Sequence, residues 1–487
     1  MSNKGYKQII KSTGVIGGSQ VITVVIGIIK TKFIAVLLGP AGFGLVGLYQ
    51  SIVDLVRSVT SFGIDFSAVR DIAESSGDDE GGGKVTRTYA VVYRLTMWTG
   101  LLGMLITAVF SPLFSQYTFG DNTHTFLICL ISVTLVIDSI SGGKSALIQG
   151  MMQINKLAKV KILLSIFSLF ISIPLYYFYN ISAVVPVIII NSLLSLVLFS
   201  HFSEKLDYKS FRIKIREVFT EGLGMIRLGF YTSFVTFLGM VAMYLVKVFV
   251  IKKGGIGSVG CFQAAWSFSV TYIGAVLTAM AADFFPRLSS VNKNTEKVRE
   301  MVNEQTQMAL FLAGPIIISM LTFMPFLINL FYSQEFTPAI HILQWQILGD
   351  FMKILSWPIG MILLAKNISR FFVFVEILWL LLFMGGVYVG WDFFGLDVTG
   401  ISFLASYGIY YLVVFAVVSR IAGFRYTSKT ILFALVYGLI AFFSFLNGLL
   451  LTGLVRYLIG AVLVVLSCSF SLDRKSTRLN SSHLAES

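Results

Sequence analysis

Gln50, Asp54, Arg57 with Ser58, Ser61 and Asp65 follow one another at spacings of three and four residues, which lines them up along one face of a helix. A face that carries carboxylates and a guanidinium can close ion pairs, hold a coupling ion or receive a charged ligand. Upstream, Gln20, Thr23, Gly27 and Lys30 repeat the helical spacing, with Lys32 close by. Lys30 and Arg57 fall on adjacent helices. Two cations brought together in an apolar setting call for an anion, and a compact ammonium beside a planar guanidinium suits phosphate or pyrophosphate. Lys353 is a further cation in the middle of an apolar run. Asp54 precedes Arg57 by three residues and Asp350 precedes Lys353 by three, so each pair can also neutralise itself and simply hold helices together. Asp54, Asp65, Asp283, Asp350 and Glu376 are the carboxylates that can carry a proton or a coupling ion, or close an ion pair. Arg94, Asp138, Lys144, Arg227 and Lys247 are other ionisable residues in or near apolar stretches.

The elements that position these residues must lie in a membrane. Of 487 residues 56% are hydrophobic and only 13% are charged, against about 25% charged in ordinary soluble domains. A hydrocarbon core about 30 Å thick needs about 20 apolar residues per helix. Runs of that kind fall near 10–38, 44–69, 87–110, 124–147, 157–179, 183–202, 224–251, 257–285, 305–332, 338–365, 370–391, 399–419, 430–450 and 454–471. The expectation is an all-α polytopic membrane protein of about 14 spans.

The net charge of +13 is distributed as topology rather than as a nucleic-acid surface. Lys156, Lys159 and Lys161, then Lys205, Lys209, Arg212, Lys214 and Arg216, and later Arg287, Lys293, Lys297 and Arg299 mark one side. The loops around 39–43, 111–123, 333–337 and 392–398 contain no Lys or Arg. Both termini are expected in the cytoplasm, with Lys252 and Lys253 as the exception to the pattern. Lys4, Lys7 and Lys11 precede an apolar stretch too long for a cleavable signal, so the first span is expected to be retained. The polar end at 473–487 reads as non-native sequence and carries no fold argument.

Gly42-Phe43-Gly44-Leu45-Val46-Gly47 has the G-x-G-x-x-G spacing of a dinucleotide-binding turn. Such a fingerprint follows a strand in a soluble βαβ unit, whereas this one joins two membrane-length helices. It also recurs. Gly255-Ile256-Gly257-Ser258-Val259-Gly260 lies 213 residues further on, and the same interval separates Pro112 from Pro325. Six spans separate the copies, so the chain reads as a parallel repeat of two six-helix bundles. Gly42, Gly44, Gly47, Gly255, Gly257 and Gly260 are then hinge glycines of two helix–helix turns, and no cofactor is expected. The expected organisation is a bundle over 1–203, a cytoplasmic linker over 204–221, a second bundle over 222–420 and two additional helices within 421–472.

Other chemistry is weakly marked. The segment 74–83 is acidic but reads as a solvated loop, His124 and His341 are isolated, and Cys129, Cys261 and Cys468 lie in apolar runs. No metal site, disulfide framework, Walker A loop or hydrolytic triad is legible, so an enzyme is not expected.

On "LLGPAGFGLVGLYQ" (37–50), "DFFPRLS" (283–289) and the 336–377 block with Trp345, Gln346, Gly349, Asp350 and Lys353, the sequence resembles Wzx-type O-antigen and lipid-linked oligosaccharide flippases. These form the polysaccharide transporter branch of the MOP exporter superfamily. The resemblance covers about residues 5–420 and departs from twelve-helix members in the last two apolar runs, a feature shared with lipid II flippases. It implies two six-helix bundles around a cationic cavity working by alternating access, with Lys30, Lys32, Arg57 and Lys353 as the cations. It implies a polyprenyl-pyrophosphate-linked glycan as substrate, membrane lipid as surroundings, the bacterial inner membrane as location, and a polysaccharide polymerase and chain-length regulator as partners. An ion-coupled multidrug exporter of the same superfamily and a lipid II-type flippase stay open as alternatives. A membrane glycan polymerase would need a large outer catalytic loop that is absent from the sequence, and a structural scaffold leaves the repeated polar stripes unexplained.

Overall fold

The computed structural model describes residues 3–77, 83–203 and 215–485. Among them the chain forms fifteen helices: α1 (Asn3–Thr60), α2 (Ile64–Gly77), α3 (Gly83–Val109), α4 (Ser111–Phe119), α5 (Thr125–Ile131), α6 (Val133–Gly150), α7 (Ile154–Tyr179), α8 (Val184–Phe202), α9 (Ile215–Ser290), α10 (Thr295–Phe331), α11 (Pro338–Ala365), α12 (Ser369–Phe394), α13 (Val398–Ala422), α14 (Ser428–Leu450) and α15 (Gly453–Ala485). Helices are the natural outcome for so apolar a chain, because lipid offers no partner to a backbone N–H or C=O and each helix satisfies its own.

Ten apolar segments among the described residues are long enough to cross a membrane. Four of them, of 43, 49, 45 and 53 residues, are interrupted once and supply two arms each. The fourteen spans read from the sequence and these ten segments differ by those four interruptions. Two of the interruptions are single glycines: Gly39 inside α1, with φ 62° and ψ −173°, and Gly255 inside α9, with φ 78° and ψ 175°. A residue with a Cβ would be strained at such positive φ. The sequence repeat pairs Gly42 with Gly255, yet the break in the first copy lies at Gly39. The reason is Pro40, which has no N–H to give up and a fixed φ suited to a first helical turn. The chain therefore turns one residue before the proline, and Gly42, Gly44 and Gly47 lie in the helical arm after the break. Of the six glycines expected to act as hinges, only Gly255 occupies a break.

The chain packs as two compact units, Met1–Gly260 and Cys261–Ser487. The dividing point lies inside α9, beyond its glycine break; most of the linker expected over 204–221 falls on residues outside those described. The first arm of α9 goes with the first unit because its apolar face fits there. Tyr244 and Val248 join Ile34, Leu38, Tyr49, Ile52, Leu135 and Val184 in one buried cluster drawn from α1, α6, α8 and α9. A second cluster, with Ile72, Tyr89, Val92 and Leu147, binds α2, α3 and α6.

The two glycine turns meet within the first unit. A Cβ built on Gly44 would stand 2.5 Å from the Ile256 carbonyl oxygen and 2.9 Å from the Gly260 nitrogen. One built on Gly260 would stand 1.8 Å from the carbonyl oxygen of Pro40. The repeated motif thus places backbone directly on backbone, as small residues do where membrane helices approach closely.

In the second unit, α11 and α13 form the centre with α10 and α12 beside them. Phe284, Val302, Ile359, Leu363, Val375, Val414 and Phe424 belong to one buried cluster there. The last two helices are integral to this unit. Gln307 Nε2 on α10 donates to Thr430 Oγ1 on α14 at 2.8 Å, and the Thr322 and Ser444 hydroxyls meet at 3.0 Å.

Candidate functional site

Polar groups in a bilayer protein face protein or water, since lipid cannot satisfy them. In the first unit they converge on a chamber of about 300 Å³ between the two arms of α1 and helices α6, α7 and α8. Lys30 lines it from the first arm, Gln50 from the second, Asp138 from α6 and Asn191 from α8. The ammonium of Lys30 donates to Ser168 Oγ on α7 at 2.5 Å, which ties α1 to α7 across the chamber. Gln50 also donates to Asp54 Oδ1 at 3.0 Å, one helical turn on. Arg57 and Lys32 are not among the residues lining the chamber. Lys30 and Arg57, expected to share one anion site, are thus divided between the chamber and the arm beyond it.

A second cation enters the polar stripe from α9. Lys247, only 7% exposed, donates to Ser51 Oγ at 2.6 Å and to the Gly47 carbonyl at 3.2 Å. Its charge and that of Arg57 both act on Asp54. The same arm is fastened by Tyr244, whose hydroxyl meets that of Thr118 at 2.7 Å. Lys252, which breaks the charge rule of the loops, lies 4.3 Å from the centre of the Tyr117 ring, a favourable cation–π contact. The side chains of Asp65 and Arg227 fall outside the described residues.

The second unit holds its own charged cluster. Asp350, fully buried on α11, accepts a 2.5 Å hydrogen bond from Ser269 Oγ on α9. Its other oxygen has no hydrogen-bond partner in the protein. The sequence allowed Asp350 and Lys353 to close on each other; instead Lys353 Nζ lies 5.7 Å from the centre of the Tyr407 ring on α13. From there its charge acts on both Asp350 and Glu376. Glu376 on α12 accepts from the Tyr410 hydroxyl at 2.8 Å. A hydrogen bond from Ser269 holds Asp350, and the Lys353 ammonium lies by Tyr407 instead. Asp283 belongs elsewhere: its side chain is 72% exposed and pairs with Arg287 at 3.2 Å, a surface contact worth about 0–1 kcal/mol.

Sequence spacing found Lys30, Asp54, Asp350, Lys353 and Glu376. It gave no sign of Ser168, Ser269 or Tyr410, because a serine or tyrosine in a span carries no charge to mark it. Lys247 carried a signal that was available, an uncompensated cation in mid-span. Among the described residues no group of three or more His, Cys, Asp or Glu side chains is placed to hold a metal ion.

Charged groups turned inward on helices of membrane length make up this architecture, and solved structures share its fold. A structure of the lipid II flippase MurJ in an inward closed conformation superposes with a TM-score of 0.71 at 15% identity, over 96% of this chain and 99% of that one. An inward-facing multidrug resistance MATE family transporter of the MOP superfamily gives 0.68 at 13% identity, over 82% and 94%. The fold is that of the MOP superfamily. Residues 33–341 match the family described as "Polysaccharide biosynthesis protein", and the chain belongs to that family. It is a multi-pass membrane protein of a polysaccharide biosynthesis family. Among curated proteins it is similar to the lipid III flippases of Escherichia coli (strain K12) and Shigella flexneri, each 21% identical over 370 residues, 74% of this chain and 86% of theirs.

Proposed function

We propose that the protein is a flippase that carries an undecaprenyl-pyrophosphate-linked oligosaccharide, an O-antigen or related surface repeat unit, from the cytoplasmic to the outer leaflet of the bacterial inner membrane. The observation that carries this reading is the ammonium of Lys30, turned into a polar chamber inside the first unit and hydrogen-bonded to Ser168. An interior cation is suited to an anionic or hydroxyl-rich headgroup and poorly suited to the cationic drugs of an exporter. Arg57 and Lys32 on the same helix extend the positive character available to a pyrophosphate, and Lys353 is the substrate cation proposed within the second unit.

The mechanism is alternating access, with the headgroup sheltered from lipid while the prenyl chain stays in it. Asp54, Asp350 and Glu376 are the carboxylates through which a coupling ion or proton would act. Both termini lie in the cytoplasm in this reading, and a polymerase and chain-length regulator receive the product. The names of the lipid III and lipid II flippases support the substrate class.

The test is complementation of a strain lacking its O-antigen flippase. Wild type is expected to restore surface polymer, and Lys30→Ala and Arg57→Ala to lower it at least tenfold at equal expression. Full activity of both variants would overturn the role of the cations. A wild type that restores no polymer but lowers drug accumulation would replace the flippase with an exporter.

A further inference from the structure

At one end of the second unit, hydrogen bonds gather three cations. Arg299 Nε and Asn303 Nδ2 on α10 both donate to the carbonyl oxygen of Arg425, at 3.0 and 3.1 Å. The Thr427 N–H returns to Asn303 Oδ1 at 2.9 Å. Those bonds lay the short connection between α13 and α14 against α10, with Lys429 in the first turn of α14. Arg299, Arg425 and Lys429 are all exposed. Among the described residues none of the three pairs with a carboxylate, although Glu300 and Glu304 follow Arg299 on α10. The N-terminus of α14 adds its own partial positive charge at the same point.

An apolar crevice of about 810 Å³ begins one residue away, between α11, α13 and α14. Its lining starts at Tyr426 and Thr430, the chain neighbours of Arg425 and Lys429, and follows α14 to Leu449. At 1.5 Å per residue that stretch of α14 rises about 28 Å, close to the hydrocarbon thickness of about 30 Å. Ile431, Leu435, Leu439 and Phe442 on this wall are exposed and present it to the surrounding lipid. The neutral polar side chains at the rim are already engaged. Asn303 holds the connection, Thr430 Oγ1 accepts from Gln307 at 2.8 Å, and the Tyr426 hydroxyl donates to the Leu355 carbonyl at 3.1 Å. What remains is positive charge, which suits a phosphate and offers sugar hydroxyls little to bind.

We propose that this rim and crevice bind an anionic phospholipid of the adjoining leaflet. Its phosphate sits on Arg299, Arg425 and Lys429, and one acyl chain enters the crevice beneath Tyr426. Phosphatidylglycerol is the simplest lipid of that description, whereas a zwitterionic headgroup brings an ammonium that the same cations repel. Attraction between membrane-surface cations and anionic headgroups fades within a Debye length. Three cations in one place, joined to an apolar slot, therefore select a single lipid and not merely a charged surface. The flippase reading supplies only the leaflet, since it puts this end in the cytoplasm; the binding does not depend on what the protein transports.

The experiment titrates the full-length protein in detergent with phosphatidylglycerol and, separately, with phosphatidylcholine of the same acyl chains, and reads retained lipid by native mass spectrometry. Phosphatidylglycerol is expected to bind at least tenfold more tightly. Arg425→Gln with Lys429→Gln, which keeps the Arg425 carbonyl and its bonds, should erase most of that preference. Ala434→Phe, which fills the crevice one turn below Thr430, should weaken phosphatidylglycerol at least tenfold with the cations intact. If that variant fails to fold, the charge pair decides alone. Lys159→Gln with Lys161→Gln removes equal charge from two exposed positions of the first unit and should leave the affinity unchanged. Equal affinity for the two lipids overturns the proposal, as does an equal loss in the Lys159 and Lys161 variant, which would reduce the effect to net charge. Undecaprenyl phosphate that displaces phosphatidylglycerol and binds more tightly would make the crevice a polyprenyl site and also overturn it. Complementation separates this site from the flippase reading. Restored surface polymer with equal lipid affinities removes the site and keeps the flippase, while lipid selectivity without restored polymer does the opposite.

Discussion

Replacing Gly260 by alanine tests whether the two glycine turns are pressed together. The added Cβ would lie 1.8 Å from the Pro40 carbonyl oxygen and 2.6 Å from its carbonyl carbon. Ordinary contacts between such atoms begin above about 3 Å, so one arm must move by about 1 Å or more. The obstacle is backbone held in the first turn of a helix, and no side chain can swing aside. Overpacking costs typically about 1–3 kcal/mol, and a rigid obstacle belongs at the upper end. Alanine gains up to about 1 kcal/mol over glycine in a helix, leaving a net loss of about 2 kcal/mol. That is on the order of a thirtyfold change in the unfolding equilibrium. Gly257 supplies the control, because a Cβ there meets nothing within 4 Å. Gly257→Ala should be neutral or stabilising by up to about 1 kcal/mol. The assay is thermal unfolding of the purified protein in nanodiscs, comparing wild type with each variant under one scan rate. If Gly260→Ala melts at or above Gly257→Ala, the turns do not bear on each other as the geometry requires.

The charged cluster and one histidine give two more expectations. Lys353→Met removes the cation acting on Asp350 and Glu376. Lys353 is half-buried and its printed contact is the cation–π one with Tyr407, so the loss is on the order of 0.5–2 kcal/mol and the variant should melt modestly below wild type. Asp350→Asn in the same chain should recover part of the loss; strictly additive effects of the two substitutions would show that the groups do not interact. At the tip before α5, His124 stacks on Phe119 with centroids 3.8 Å apart and its Nδ1 lies 2.7 Å from the Tyr49 hydroxyl. Burial lowers its pKa below the ordinary 6.5, with Asp121 pulling the other way. Below pH 6.5 the unfolded chain therefore takes up the proton first. The contribution of His124 is complete above that pH and is lost as pH falls through the folded value. His124→Gln should flatten the decline in melting temperature between pH 7.5 and pH 5; an unchanged slope would assign the decline to other groups.

The sequence by itself determined the membrane class, the placing of nearly every span and the existence of a repeat. Apolar length and glycine spacing are local properties, and lipid leaves a long apolar run little choice but a helix. The cations at Lys30, Arg57 and Lys353 were equally legible, since a charge at lipid depth stands out against its neighbours. What surrounds them was decided by tertiary structure. Helical spacing placed Lys30 and Arg57 on adjacent elements, but only packing turned Lys30 toward Ser168 and into a chamber that Arg57 does not line. Asp350 and Lys353, three residues apart, were free to pair until Ser269 and Tyr407, far away in the chain, offered each a separate neighbour. The opening motif follows the same division. Its glycine spacing was visible at once, whereas the shift of the break to Gly39 came from Pro40, and the contact of Gly44 with Ile256 and Gly260 came from helices folding back on one another. Spacing fixes which residues share a face; which face meets which is a property of packing over hundreds of residues, and no local pattern encodes it.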